Sequence, residues 1–402
     1  MTTGESPAPE PSGPRKVAAE LLVVAAVAVL LVTAFQIDRE WVSRHVTLPN
    51  GPPLGDEAWR VGLRGLLVLA ALLLLRLRPT LVACTSKISV ARVARSTVPV
   101  LLAIAASVVT VEVVLRWFPP RVVKGRAMYP YGAPHPRYGW TGQPSSTTTT
   151  RVSGRDVLMV FNEEGIRIPS QGDEPDPARP TILFTGESIA LGFGVEYAES
   201  YPALIAARRG VQCVNLAGAA YGSDQAYLRL IDAMPHFERP VATVSVFIPL
   251  QLGRNLYDDR PRLVLGPTGE LDLVPAATDF FSRLGIRKLL WKGPPYLGDE
   301  AIHRTMALTA AILRDTSLRT RARGATPLFV IPSNGPNRPL DEHPEAWILR
   351  ELFVKQGLPF ILVDIPADQL LDDGYHPGPR GDETIAAAVL AALVATEPAG
   401  EP

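Results

Sequence analysis

From Val17 to Phe35 the chain carries a single charge, Glu20, in an otherwise almost wholly apolar run. About 20 such residues wound into a helix are long enough to cross the hydrocarbon of a bilayer. No feature of the sequence limits the fold more, because a helix apolar on every side must be buried, in a membrane or in the core of a large protein. The composition agrees, with a mean hydropathy of +0.13 and only 20% charged residues. A cleaved signal peptide is the other reading of such a run, but no small-residue cleavage site follows closely. Two further runs extend the pattern. Residues 97–115 have Glu112 near one end and Arg116, Trp117 and Phe118 beyond it. Residues 61–77 are shorter and include Arg64, whose long side chain can reach an interface. The reading is a tail over 1–16 and a membrane region over 17–118, with about three transmembrane helices at 17–36, 61–77 and 97–115.

Three spans place the two ends of the chain on opposite sides of the membrane. The stretch from Arg76 to Arg95 holds Arg76, Arg78, Lys87, Arg92 and Arg95 and no acid. By the positive-inside rule it is cytoplasmic, and Arg15 and Lys16 put the N-terminus beside it. The C-terminal part is then expected outside the cytoplasm, although Arg116, Arg121, Lys124 and Arg126 oppose this orientation. With 40 basic and 40 acidic residues the chain has no electrostatic footprint for nucleic acid, and none is expected as a partner. Its two cysteines, Cys84 and Cys213, argue against a disulfide framework. The run Leu81-Val82-Ala83-Cys84 has the look of a lipoprotein cleavage box, but its distance from the N-terminus makes it a chance match.

Residues 119–155 are rich in Pro, Gly, Ser and Thr, with threonine throughout 147–150, and read as a linker. The pattern then changes. Continuous apolar runs at Thr181–Thr185, Val211–Leu216, Ala242–Ile248, Pro327–Ile331 and Pro359–Ile365 predict strands buried on both faces. Between and after them, Ser200–Arg209, Asp224–Met234, Asp299–Arg323, Pro344–Gln356 and Asp382–Ala395 read as helices. Such alternation predicts an α/β domain over 156–397, an open and mostly parallel sheet covered by helices. Ligands bind such sheets beyond the carboxyl ends of the strands, so the residues after each strand are the place to look for chemistry.

After the first strand stands Gly186-Glu187-Ser188. A serine on a strand-to-helix turn is exposed to a ligand and lies next to backbone N–H groups, yet it needs a base to become a nucleophile. Capping the following helix is the other use of a serine there. After the last strand stands Asp373-Gly374-Tyr375-His376-Pro377. An aspartate three residues before a histidine can accept from one imidazole nitrogen and leave the other to take a serine proton. A plain surface turn uses the same residue types. The candidate catalytic residues are therefore Ser188, Asp373 and His376. An ester-cleaving site also needs oxyanion donors: the Ser188 N–H, the N–H groups of the loop from Asn215 to Gln225, and the Asn255 amide. His45, His135, His236, His303 and His343 have no metal-ligand spacing and read as surface residues.

In this order the blocks resemble the SGNH/GDSL hydrolase superfamily over roughly residues 157–395. Asn162-Glu163-Glu164-Gly165-Ile166-Arg167 is similar to a lead-in of some branches. Gly186-Glu187-Ser188 resembles the Gly-Asp-Ser block, Tyr221 to Gln225 a segment after the second block, and Asp373 to Pro377 the Asp-x-x-His block. The resemblance implies a flavodoxin-like three-layer α/β/α sandwich and cleavage or transfer of acyl esters without metal or cofactor. Three departures stand out. Glu187 replaces the usual aspartate. Ala220 stands where the oxyanion glycine usually sits, with Gly218 or Gly222 able to serve after a local shift. Arg254 stands at the usual asparagine position, with Asn255 one step along. The insertion from Asp258 to Leu290 contains a predicted hairpin over Pro261–Val274, read as shaping the substrate cleft.

The functional expectation is a membrane-anchored serine esterase or O-acyltransferase acting on acyl or acetyl esters of a small molecule, glycan or lipid of the cell envelope. The other class of reading is a binding or assembly protein of the envelope on the same fold, without catalysis.

Overall fold

Two helices account for the apolar N-terminal part. The structure, a computed structural model, describes residues 13–36, 56–86, 103, 106–111, 113, 131–257, 259–276, 299–335, 339–343 and 345–396. These fall into two units, one within 1–46 and 51–118 and the other within 47–50 and 119–402. In the first unit, α1 (Gly13–Gln36) packs against α2 (Asp56–Ser86). The pair is antiparallel: Arg78 meets Glu20 at 3.3 Å near one end, and the Arg64 guanidinium donates to the Phe35 carbonyl at 3.3 Å near the other. Ala19, Ala34 and Ala71 are buried, while Leu21, Leu22, Phe35, Leu66 and Leu69 face outward. Small residues let the two backbones approach, and no described residue covers the leucine-rich outer surface. Each helix is long and apolar enough to cross a membrane. The second runs beyond the expected 61–77 at both ends and continues through Pro79. Of the third expected span, 97–115, only residues 103, 106–111 and 113 are described, all helical. Most of the tail, the loop over 38–55, residues 87–95, Glu112 and residues 114–130 lie outside the described residues.

In the second unit the expected linker is a correction. Residues 132–161 form two antiparallel hairpins, β1 (Gly132–His135) with β2 (Gly139–Gly142) and β3 (Ser146–Val152) with β4 (Arg155–Phe161). The threonines that suggested a linker alternate half-buried and exposed along β3. They are β-branched residues on a strand with one wet face. Opposite them, β4 sends Val157, Met159 and Phe161 into the main core. The domain thus begins well before residue 156.

Next come β5 (Thr181–Thr185), β6 (Gln212–Asn215) and β7 (Pro240–Val246), then the predicted hairpin as β8 (Arg262–Leu265) and β9 (Leu271–Val274), then β10 (Thr326–Asn334) and β11 (Phe360–Ile365). Residues 277–290 of the insertion, and Asp258, lie outside the described residues. Five strands form a parallel sheet in the order β6-β5-β7-β10-β11. Numbered among themselves they run 2-1-3-4-5, the flavodoxin-like doubly wound order. The helices are α3 (Ser188–Leu191), α4 (Tyr201–Arg209), α5 (Ser223–Ala233), α6 (Leu250–Arg254), α7 (Asp299–Ala322), α8 (Ala346–Leu349) and α9 (Pro379–Thr396). The helix expected over Pro344–Gln356 is α for only four residues and continues as a π turn over Arg350–Val354.

Both faces of the sheet are buried, as the continuous apolar runs require. Ile182 and Phe184 pack with Tyr201 and Ile205 of α4 and Ile385 and Val389 of α9. Leu183, between them, packs with Leu230 of α5 and with Met234. Phe329 and Ile331 of β10 meet Leu313 of α7 and Phe353. Alternation along each strand sends neighbours to opposite layers, and the result is the expected three-layer α/β/α sandwich.

Candidate active site

Ser188 stands where strand order reverses. The chain crosses from β5 to β6 on one side of it and reaches β7 on the other, and in doubly wound sheets this crevice beyond the strand ends is the ligand site. Gly186 makes the turn possible. Its φ is +144°, and a Cβ there would come within 2.9 Å of the Val246 side chain and 3.0 Å of Ala190. The helix cap belongs to Glu187, whose Oε1 accepts from the Ile189 N–H at 3.1 Å. Ser188 is therefore the first helical residue, its hydroxyl free of the capping role, and the residue is 3% exposed.

The loop after β11 brings His376 to it. His376 Nε2 lies 2.8 Å from Ser188 Oγ, and His376 Nδ1 lies 2.6 Å from Asp373 Oδ2. The second carboxyl oxygen of Asp373 accepts from the N–H groups of Tyr375 and His376, each at 2.9 Å. Burial pushes the Asp373 carboxyl up, but the hydrogen bonds from the His376 ring, the His376 N–H and the Tyr375 N–H prevail and hold it at about 2. A carboxylate facing Nδ1 fixes that nitrogen as the protonated one, so Nε2 presents a lone pair to the serine. Contacts from elsewhere steady this loop. Ser153, in the turn between β3 and β4, accepts from the Asp372 N–H at 3.1 Å, and the Asn334 amide donates to the Gly374 carbonyl at 3.1 Å. The rings of Phe193 and Tyr375 lie 4.5 and 4.8 Å from the imidazole.

Ser188 Oγ has a second acceptor. Glu187 Oε2 lies 2.5 Å away, on a side chain with no solvent exposure. One hydroxyl proton thus faces both a carboxylate and an imidazole.

The expected oxyanion donors divide. The Ser188 N–H stands at the start of α3. Ala220 has φ +59°, the left-handed conformation that explains why glycine suits this position, and its N–H meets no acceptor among the described residues. Gly218 is a correction: its N–H donates to the Gly186 carbonyl at 3.2 Å, and a Cβ there would lie 2.2 Å from the Tyr221 ring. It is a packing position. Asn255 is a second correction. It is 1% exposed, its amide donates to Ser223 Oγ at 2.7 Å and Thr309 Oγ1 at 2.9 Å, and its carbonyl accepts from the Asp224 N–H at 3.3 Å. Every polar atom of that side chain ties α5 to α7, so none is turned toward Ser188. His343, expected at the surface, is 4% exposed with Nε2 3.7 Å from Asp364.

Sequence reasoning missed the Glu187 contact and the two loop braces. Glu187 carried a signal, its departure from aspartate beside the serine. Ser153 and Asn334 carried none, since they meet the loop from 219 and 40 residues away.

No family model matches the chain, and no curated protein does. Solved structures do resemble it in fold. It is similar to an acetyl xylan esterase from the rumen bacterium Butyrivibrio proteoclasticus, with 13% identity and a TM-score of 0.33 over 55% of this chain. The chain spans 64% of that protein's length. It is also similar to a carbohydrate esterase with divergent catalytic and non-catalytic binding functions, with 12% identity and a TM-score of 0.33 over 56% of this chain and 68% of that one. A third likeness is to AlinE4, an SGNH-hydrolase family esterase, with 17% identity and a TM-score of 0.28 over 56% of this chain and all of that one.

Proposed function

We propose that the domain over residues 131–396 is a serine ester hydrolase or O-acyltransferase of the SGNH kind. The observation that carries this reading is the line Ser188 Oγ, His376 Nε2, His376 Nδ1, Asp373, joined at 2.8 and 2.6 Å at the switch point of the sheet. In it Ser188 attacks the acyl carbon while His376 takes the hydroxyl proton, and Asp373 stabilises the imidazolium. The C=O electron pair moves onto oxygen, which accepts from the Ser188 and Ala220 N–H groups. Collapse of this intermediate expels the alcohol, which receives the proton from His376, and leaves an acyl group on Ser188. Water or a second hydroxyl then takes that acyl group by the reverse steps. α1 and α2 are apolar enough to anchor the chain in a membrane; with the expected third span at 97–115, the basic residues of 76–95 favour an extracytoplasmic domain acting on acyl or acetyl esters of envelope glycans or lipids.

A second reading, a binding or assembly protein without catalysis, is favoured by one observation: two of the expected oxyanion donors, Gly218 and Asn255, are spent on structure. One experiment separates the two. Full-length protein in detergent is treated with a fluorophosphonate probe and assayed with p-nitrophenyl acetate. Labelling at Ser188 and turnover that vanish in Ser188→Ala and His376→Ala support the esterase. A folded wild type that neither labels nor turns over removes it.

A further inference from the structure

The site lacks the side-chain donor that Asn255 was expected to supply, and the residue before it lies near Glu187. Arg254, the last residue of α6, has a side chain that is 12% exposed. Its Nη1 donates to the Tyr221 carbonyl at 3.0 Å, on the loop that carries Ala220. The same nitrogen lies 4.0 Å from Glu187 Oε2, the oxygen that holds Ser188 Oγ at 2.5 Å. The guanidinium therefore lies between the loop of the candidate Ala220 donor and the carboxylate beside the nucleophile. An arginine has five N–H donors in a fixed fork, and only the bond to Tyr221 commits any of them among the described residues.

The charge balance favours a cation here. A tetrahedral intermediate on Ser188 places a full negative charge close to the unexposed carboxyl group of Glu187. Between two like charges in a buried site, repulsion costs several kcal/mol even at an effective dielectric of about 20.

We propose that Arg254 is a catalytic residue, an oxyanion donor that replaces the neutral amide and supplies the counter-charge that Glu187 demands. The assignment rests on Ser188 being the nucleophile. When Ser188 Oγ bonds to the acyl carbon and its proton passes to His376 Nε2, the carbonyl electron pair moves to oxygen and accepts an N–H from the Arg254 fork. On collapse that pair re-forms the C=O, the leaving alcohol takes the proton back from His376, and Arg254 keeps all its protons throughout.

The test compares full-length wild type, Arg254→Ala, Arg254→Lys, Ser188→Ala and the double variant Arg254→Ala with Glu187→Gln, each checked for folding by its melting temperature. The readout is kcat and KM on p-nitrophenyl acetate. Arg254→Ala is expected to lose on the order of 10²–10³ in kcat with little change in KM, the loss seen when one oxyanion donor is removed. Added guanidinium ion is expected to restore part of it, and Arg254→Lys to fall between the two. If Arg254→Ala does not fold, the lysine variant and its kcat decide the question. Wild-type kcat in a folded arginine variant overturns the proposal. So does full recovery in the double variant, which makes Arg254 only a neutraliser of Glu187. An inert wild type indistinguishable from Ser188→Ala removes the nucleophile reading itself, and the arginine assignment with it.

Discussion

The two sides of Ser188 are built in opposite ways. On the base side one loop does almost everything: Asp373 binds the ring of His376 and also the N–H of the same residue, so side chain and backbone orient the imidazole together. On the oxyanion side the donors come from separate loops, and structure competes for them. Gly218 gives its N–H to Gly186, and Asn255 gives its whole amide to the junction of α5 and α7. A group already bonded within the fold has nothing left for a substrate. In the proposed mechanism, proton transfer is served by a short motif, whereas charge stabilisation depends on which groups the packing leaves over.

Breaking each side should therefore give different signatures. The largest effect belongs to the base side: Ser188→Ala and His376→Ala are each expected to lower kcat by about 10⁴-fold or more with the melting temperature little changed, measured on p-nitrophenyl acetate. Asn255→Ala should do the reverse. It strands the buried Ser223 and Thr309 hydroxyls and the Asp224 N–H, and on the order of 2–3 kcal/mol of stability should go in a denaturant titration. A kcat loss of 10² or more at unchanged stability would instead put Asn255 on the oxyanion. Ala220→Gly should be mild: the left-handed backbone costs an alanine about 1 kcal/mol, so glycine should gain up to that amount, less the entropy it adds to the unfolded chain, and keep turnover because the N–H is retained. A sharp loss of kcat there would mean that the loop needs the stiffness of alanine.

The smallest effect is a pH slope. The Asp373 carboxyl is depressed to about 2 in the folded protein, so below the usual aspartate value the unfolded chain binds the extra proton first. Its contribution to stability is complete above about pH 4 and is lost as pH falls toward 2. Acid unfolding of Asp373→Asn should lack that component and run shallower across this window. An identical slope in both proteins would show that the carboxylate is held by less than its three hydrogen bonds suggest.

How much was readable beforehand depended on the range of the interaction. The five buried strands were legible because a strand covered on both faces must be apolar at every position. The hairpins over 132–161 were not: β3 has one wet face, and a run of threonines there has the composition of a linker. The Asp-x-x-His loop was legible because three residues suffice to define its geometry. Arg254 and Asn255 were not separable, since one step along a helix rotates a side chain by about 100° and only the packing of α6 fixes which of the two meets Glu187.

The sequence by itself determined the apolar helices at the N-terminus, the alternation that makes a parallel sheet, and the serine and histidine turns at the ends of its first and last strands. Those follow from periodicity and from residues adjacent in the chain. The tertiary structure alone decided that Glu187 shares the serine proton, that Asn255 and Gly218 serve packing, that residues 40 or more apart brace the Asp373–His376 loop, and that a guanidinium lies 4.0 Å from Glu187. Each of these is a competition between partners distant in sequence for one hydrogen bond, and distance and burial settle it only once the chain is folded.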